Sequence, residues 1–357
     1  MPRTAIVFTP KYYEHYTGLG HPETAKRLRV IVKEVNKLDL SSTGVGCRLV
    51  KPRLATLKDL ELTHAPEHIR LVKHVCETGG GLLDLGDTVA SERTFEVARY
   101  AVGGALKAVD LVAKKQFRNA FALVRPPGHH AGPYYASGFC VFNNIAVAAS
   151  HLIRRHHLKR ILILDIDAHH GNGTQEIFYD TSRVLYMSLH EDPSDFPGTG
   201  FIDEIGKCDG LGYTVNVPFP LYTGDKPYLK AIAEVVVPVA KQYRPEFVLM
   251  SAGFDGYYGD PVARLNLSAT AYIMAFRRMI NVAAEFSESR FVALLEGGYD
   301  LGCLGWLALS AISEMAGFHY ETMEEMNLPR SPRADKRAEK VIKEAKRMQS
   351  AFWSLEL

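Results

Sequence analysis

The chain has 357 residues, enough for one large α/β domain or two ordinary ones, and 47% of them are hydrophobic, which allows a sizeable core. Its 42 Lys and Arg against 40 Asp and Glu give a formal net charge of +2, which does not indicate a nucleic-acid-binding protein. Five dispersed cysteines without a CxxC pair indicate reduced thiols. We find neither a signal peptide pattern nor an apolar run of the ~20 residues that span a bilayer, so we predict a cytoplasmic protein without membrane contact.

Apolar runs in the chain alternate with segments of helical periodicity. The predicted strands are Thr4–Phe8, Ala120–Val124, Arg160–Leu164, Val184–Leu189, Tyr213–Val217, Phe247–Ser251 and Phe291–Leu295. The predicted helices are Glu23–Asn36, Glu92–Lys115, Asn143–His156, Pro227–Gln242, Ser268–Phe286 and Leu304–Ala316. Continuous apolar strands that alternate with helices predict an α/β fold around a buried parallel sheet. Because no linker stands out, we expect a single domain over residues 1–357.

The tail of the chain has a different composition. Apolar residues recur there at helical spacing and predict an amphipathic helix at about 334–354. Between Pro329 and Arg347 the tail holds eight Lys or Arg and three Asp or Glu. We interpret it as a packed helix with a solvated basic face, although contact with an anionic partner is the alternative.

A dense polar cluster follows the predicted strand that ends at Leu164. Asp165, Asp167, His169 and His170 lead into a glycine-rich turn. Alternation along an extended strand would direct Asp165, Asp167 and His169 to the same side. Carboxylates and imidazoles together suit zinc or another first-row divalent ion. An ion pair at a strand end is the plainer interpretation, but so many polar groups are costly to bury unpaired.

Three other predicted strands also end in polar residues. His129 and His130 follow the strand at 120–124, Asp255 follows the strand at 247–251, and Glu296–Tyr299 follows the strand at 291–295. Ligand sites in open α/β sheets form at the carboxyl ends of the strands. The sequence therefore predicts one site to which all four segments contribute.

These segments resemble the zinc-dependent histone deacetylase superfamily, which includes acetylpolyamine amidohydrolases and acetoin-utilisation proteins. The matching motifs are Arg125–Ala131, Gly138–Asn144, Asp165–Thr174, Ser251–Asp255, Glu296–Tyr299 and an early Gly20–Glu23 with Arg27. The resemblance extends from about the first strand to the helix after Tyr299. It implies an arginase-like architecture, in which an eight-stranded, mostly parallel sheet lies between helices. Asn172 is typical of class II and prokaryotic members, since class I members usually have Asp there.

The resemblance implies that Asp167, His169 and Asp255 bind the metal. Three protein ligands leave a position open, as a catalytic zinc site requires. Zinc is the expected metal, and two carboxylates with one imidazole would also accept iron(II) or cobalt(II).

By the same resemblance, five further residues have catalytic roles. His130 takes a proton from water and then protonates the leaving amine, and His129 is its electrostatic partner. Asp165 orients His129, and Asn172 holds His130. Tyr299 donates a hydrogen bond to the oxyanion of the tetrahedral intermediate.

The resemblance also implies a slot for an extended acyl-amine. Phe139 and Phe196 form its walls, and Gly138 leaves room between them. Asp87 corresponds to a rim carboxylate that accepts hydrogen bonds from the substrate backbone, although a helix N-cap is nearly as plausible from the sequence. Arg27 corresponds to a residue of the channel behind the metal, or else it is a structural ion-pair partner.

Members of this superfamily also bind monovalent cations, usually potassium. The implied first site consists of Asp165, Asp167, His169, Ser188 and Leu189. The implied second site consists of Phe178, Thr181, Val184 and Tyr213.

The expected reaction is hydrolysis of an acetyl or acyl amide on a lysine side chain of a protein. The main alternative is an acetylpolyamine amidohydrolase, but Arg264 would repel a polycation if it faced the pocket mouth. A catalytically inactive acyl-lysine binder is less favoured, because every catalytic position holds a competent residue. A ureohydrolase with two manganese ions would need more carboxylates beside Asp255. The sequence does not indicate an oligomeric state.

Overall fold

The computed structural model describes residues 4–38, 46–323 and 331–356, so the predicted span of 1–357 includes residues outside the described ones. The described strands are β1 (Thr4–Val7), β2 (Cys47–Val50), β3 (Gly81–Leu82), β4 (Val89–Ala90), β5 (Asn119–Ala122), β6 (Ile161–Asp165), β7 (Val184–Glu191), β8 (Thr214–Phe219), β9 (Phe247–Ala252) and β10 (Phe291–Leu295). Eight of them form one sheet in the order β2-β1-β5-β10-β9-β6-β7-β8, and β3 and β4 form a small antiparallel pair. Every neighbouring pair in the large sheet is parallel.

The described helices surround this sheet. They are α1 (Ala25–Val35), α2 (Leu57–Leu60), α3 (Pro66–Glu77), α4 (Thr94–Ala113), α5 (Asn144–Arg155), α6 (Asn172–Phe178), α7 (Asp225–Ala231), α8 (Val237–Tyr243), α9 (Ala269–Phe286), α10 (Leu304–Ala316) and α11 (Pro332–Gln349). A π-helical turn at Ile232–Val236 joins α7 to α8. Every residue of β6 and β10 is buried, as expected for a parallel sheet that is covered on both faces. The predicted fold, an eight-stranded sheet between helices, is confirmed.

The structure contains all seven predicted strands, with ends that differ by at most two residues. It adds β2 at the edge of the sheet, where the exposed Arg48 and Leu49 left no continuous apolar run to recognise. It also adds α3, to which we assigned no element, although Ile69, Val72 and Cys76 form a buried stripe at helical spacing.

The tail forms α11, which ends at Gln349 rather than near 354. Ala338, Ile342 and Ala345 are buried against the body of the protein, and α11 lies against β8 and α7. Lys346 pairs with Glu234 at 3.0 Å. These contacts favour the packed-helix interpretation of the tail. Within the part of the chain that the structure describes, no helix has both the length and the apolar character needed to cross a bilayer.

Candidate active site

The site lies at the carboxyl ends of β5, β10, β9 and β6, which are consecutive in the sheet. Each strand is followed by one of the polar segments, so residues distant in sequence meet at one edge. Asn143 connects the segment after β5 to α5 by hydrogen bonds. Its side-chain oxygen caps Ala146 N, and its amide nitrogen donates to Ala131 O at 3.0 Å.

The predicted metal ligands converge. Asp167, His169 and Asp255 each offer a ligand atom, and these atoms lie within 4.8 Å of one another. His169 Nδ1 is 3.0 Å from Asp255 Oδ2 and 3.4 Å from Asp167 Oδ1. The strand itself ends at Asp165, so the convergence arises from the turn after β6 and not from alternation along an extended strand.

Backbone groups hold these carboxylates in place. Ala168 N donates to Asp255 Oδ1 at 2.9 Å, and Gly297 N donates to Asp167 Oδ2 at 2.8 Å. A β-carbon at position 297 would lie 2.7 Å from Asp255 Oδ2, so only glycine lets this loop approach so closely. The segment after β10 therefore fixes the ligand geometry and also carries Tyr299.

The electrostatics of this cluster favour a cation. Burial alone would lower the pKa of His169, but the carboxylates of Asp167 and Asp255 raise it well above its ordinary value. Two carboxylates and one imidazole are a donor set that suits a divalent first-row metal ion. The cluster therefore fits the expected zinc ion.

His129 lies beside the cluster as a cationic imidazole. Its Nδ1 is 3.0 Å from Asp165 Oδ2, and its Nε2 is 3.7 Å from Asp167 Oδ1. Burial opposes its charge, but Asp167 and Asp165 outweigh that effect and raise the pKa of His129 to about 10. Tyr186 Oη also donates to Asp165 Oδ2, so Asp165 is held from two sides and orients His129.

His130 is in the opposite protonation state. Its Nδ1 lies 2.8 Å from Asn172 Oδ1, which fits the predicted contact between these residues. Burial, together with the neighbouring imidazoles of His129 and His169, holds the pKa of His130 well below its ordinary value. The ring is neutral at pH 7. Since an amide oxygen only accepts, Nδ1 carries the proton and Nε2 is free to accept one.

Tyr299 is buried against Arg27, whose guanidinium carbon lies 4.8 Å from the centroid of the phenol ring. Burial raises the pKa of Tyr299 well above its ordinary value, so the phenol stays protonated and can donate. Arg27 pairs with Glu23 at 3.2 Å and donates from Nε to Gly298 O at 2.6 Å. Arg27 is thus an ion-pair partner that also supports the loop before Tyr299.

The sequence analysis assigned no role to two buried acids that organise the site. Glu296 accepts from Gly128 N at 2.7 Å and from Ser251 Oγ at 3.2 Å, and burial raises its pKa to about 7. Asp260 accepts from Tyr299 N at 2.7 Å. Glu296 lay within a recognised motif, and Asp260 follows Gly259 in a turn, but neither position gives a sequence signal for these contacts.

A cavity of about 590 Å³ leads to this cluster. Its lining includes Phe139, Phe196, Gly138 and Asp87, together with His130, His169 and Tyr299. The Phe196 ring centroid lies 4.9 Å from that of His130, and the Phe139 ring centroid lies 5.8 Å from that of Tyr299. The predicted walls therefore flank the predicted catalytic side chains.

The mouth of the cavity bears on two expectations from the sequence, the position of Asp87 and the charge of Arg264. Asp87 is exposed at the mouth and is not an N-cap, because α4 begins at Thr94 after Arg93. Arg264 is not among the residues that line this cavity, and it pairs with Asp195 at 2.9 Å in an exposed ion pair next to Phe196. Repulsion of a polycation by Arg264 is accordingly a weaker argument than the sequence suggested.

The predicted cation-binding residues lie on adjoining elements. Ser188 is paired with Asp165 across β7 and β6, and its hydroxyl contacts His190 Nδ1 at 2.7 Å. Thr181 N donates to Phe178 O at 3.3 Å in the turn after α6, shortly before β7 begins at Val184. Tyr213 immediately precedes β8, the neighbour of β7. Potassium binding at either place stays a prediction.

Comparisons with known proteins agree with this geometry. A family model described as the histone deacetylase domain matches residues 21–315. A probable deacetylase of Archaeoglobus fulgidus is 38% identical over 358 residues, which cover 98% of each chain. A histone deacetylase-like amidohydrolase of Pseudomonas aeruginosa is 36% identical over 302 residues, covering 84% of this chain and 77% of the relative. The crystal structure of the HDA15 HD domain is similar with a TM-score of 0.87 and 33% identity, covering 98% of this chain and 95% of that one.

Proposed function

This chain belongs to the histone deacetylase family, a family of zinc-dependent deacetylases and amidohydrolases, and we propose that it removes acetyl groups from lysine side chains of proteins. One observation carries the proposal. The cluster of Asp167, His169 and Asp255 lies by an aromatic-walled cavity that His130 and Tyr299 also line. An aromatic-walled cavity that leads to such a cluster suits an extended acyl-lysine side chain.

Asp167, His169 and Asp255 would hold the zinc ion. When bound, the ion supplies Lewis acidity, which polarises the amide carbonyl and lowers the pKa of the attacking water. The protein contributes the fixed ligand geometry, since backbone donors hold both carboxylates.

His130 would move the proton. Its Nε2 accepts a proton from the attacking water, because Nδ1 is committed to Asn172. The resulting imidazolium then delivers this proton to the nitrogen of the leaving lysine amine, so acetate and a free amine result. His129, already cationic, favours the return of the proton from His130.

Tyr299 would stabilise the charge that develops on the substrate oxygen. Its buried hydroxyl keeps its proton and donates a hydrogen bond to the oxyanion. Asp260 accepts from the N–H and Arg27 donates to the carbonyl of the Gly298–Tyr299 peptide, so the donor is positioned before the reaction begins.

An acetylated polyamine is the second candidate substrate. Asp84 and Asp87 are the carboxylate residues among the described ones that line the cavity, and acidic groups there suit a polycation as well as a basic peptide. Arg264 is paired with Asp195 and is not among the residues that line the cavity, so it does not argue strongly against a polycation. Discrimination between the two substrates therefore requires a direct comparison.

We expect zinc-loaded protein to release acetate faster from an acetyl-lysine peptide than from an acetylated polyamine. Both substrates would be assayed side by side on the same preparation, with kcat/KM as the readout. A preference for the polyamine would replace the lysine proposal by the second candidate. No turnover of either substrate by zinc-loaded protein would contradict the proposal of acetyl hydrolysis.

A further inference from the structure

A chain of hydrogen bonds runs from His130 to the surface of the protein. His130 Nδ1 contacts Asn172 Oδ1 at 2.8 Å, and Asn172 Nδ2 donates to the Tyr135 hydroxyl at 3.2 Å. The Tyr135 hydroxyl donates to Glu176 Oε2 at 2.7 Å. His130 is buried, Asn172 and Tyr135 are half-buried, and Glu176 is exposed.

The outermost residue determines the direction of every bond in this chain. An ionised carboxylate only accepts, so Tyr135 gives its single proton to Glu176 and accepts from Asn172. The amide nitrogen of Asn172 then faces Tyr135, and its oxygen faces His130. An amide oxygen only accepts, so the proton of His130 stays on Nδ1.

We propose that Tyr135 and Glu176 are positioning residues that set the amide orientation of Asn172, and through it the tautomer of His130. The inference rests on the proposed function of His130 as the base. The tautomer with the proton on Nδ1 leaves the Nε2 lone pair available to the attacking water. The other tautomer carries a proton on Nε2 and has no lone pair there to accept one.

Because residue 172 is an asparagine, the orientation of its amide has to be set by neighbouring residues. The two ends of an amide have nearly the same shape but opposite hydrogen-bonding character. If the amide rotated by half a turn, Nδ2 would face His130 Nδ1 and favour the unproductive tautomer. A carboxylate at 172 would accept from His130 in either orientation, so it would not depend on Tyr135.

Local structure holds the turn that carries Tyr135 and the helix that carries Asn172 and Glu176. Gly132 N donates to Tyr135 O at 3.0 Å in a tight turn, and a β-carbon at position 132 would lie 2.4 Å from the Tyr135 ring. Asn172 and Glu176 are four residues apart on α6, which places both on one face of the helix. Tyr135 therefore contacts the side chains of Asn172 and Glu176, which α6 places next to each other.

The test compares Tyr135→Phe in two backgrounds. With Asn172 present, we expect kcat to fall about fivefold and KM to change little, since the amide loses the neutral hydrogen bond that fixes its orientation. In the Asn172→Asp background the same replacement should change kcat by less than about 1.5-fold, because either oxygen of the carboxylate can accept the proton of His130 Nδ1. Tyr134→Phe is the matched control, since Tyr134 is an exposed neighbour, and it should leave kcat unchanged in both backgrounds.

A second readout does not depend on turnover. Ring nitrogen NMR shifts of His130 in the zinc-loaded protein should show the proton on Nδ1, and Tyr135→Phe should add a population with the proton on Nε2. Equal losses of kcat in both backgrounds would indicate a merely structural role and overturn the inference, as would an unchanged tautomer in Tyr135→Phe. If the unmodified protein hydrolysed neither substrate, the proposed function would fail, and the NMR comparison would still decide the inference.

Discussion

Replacing His130 with alanine is expected to lower kcat by about 10²–10⁴-fold, the range typical of a lost general acid–base group. The reason is geometric as well as electrostatic. His130 lines the cavity beside the proposed metal ligands, its ring is neutral, and its Nδ1 is committed to Asn172, which leaves Nε2 for proton transfer. Steady-state kinetics on an acetyl-lysine peptide, with zinc content measured in parallel, would check the prediction.

The control for this replacement is His157→Ala. His157 is an exposed histidine just beyond α5, so its loss should leave kcat and KM unchanged. Zinc content should be the same in the unmodified protein and in both alanine variants, since neither histidine is a proposed ligand. An alanine variant at 130 that retained full kcat would show that another group moves the proton.

Replacing Tyr299 with phenylalanine is expected to lower kcat by about 10²–10³-fold, the usual cost of removing one oxyanion donor. Only the hydroxyl is removed, so packing against Arg27 and Phe139 should persist. KM should change little, because the hydrogen bond strengthens as negative charge develops on the substrate oxygen. Separate determination of kcat and KM would test this.

The matched control is Tyr222→Phe, which removes the hydroxyl of an exposed tyrosine and should preserve both constants. A rise in KM at constant kcat for Tyr299→Phe would mean that the hydroxyl binds the ground state and the transition state equally. That result would remove Tyr299 from the proposed chemistry and leave it as a wall of the slot.

The location of the site could be predicted because apolar strands and polar strand ends are local features. Asp255 and Glu296 each follow a continuous apolar run, and the parallel-sheet rule places such residues at one edge. The pairing of His169 with Asp255, which are 86 residues apart, is not encoded in any spacing. The sequence resemblance supplied that pairing.

The supporting contacts could not be predicted, because they depend on how loops pack. Asp260 accepts a hydrogen bond from the backbone of Tyr299. Tyr135, in the loop after β5, contacts Asn172, the first residue of α6. Neither contact leaves a pattern in the sequence. The edge strand β2 was missed for a related reason, since its exposed face removes the apolar run that marks the buried strands.

The most direct test of the account is the number of zinc ions that restores activity to chelated protein. We expect acetate release from an acetyl-lysine peptide to disappear on chelation and to recover fully at about one zinc ion per chain, as one cluster of three ligands implies. Asp255→Asn should bind zinc weakly and recover little. Activity that survived complete chelation, or that required two ions per chain, would contradict the account.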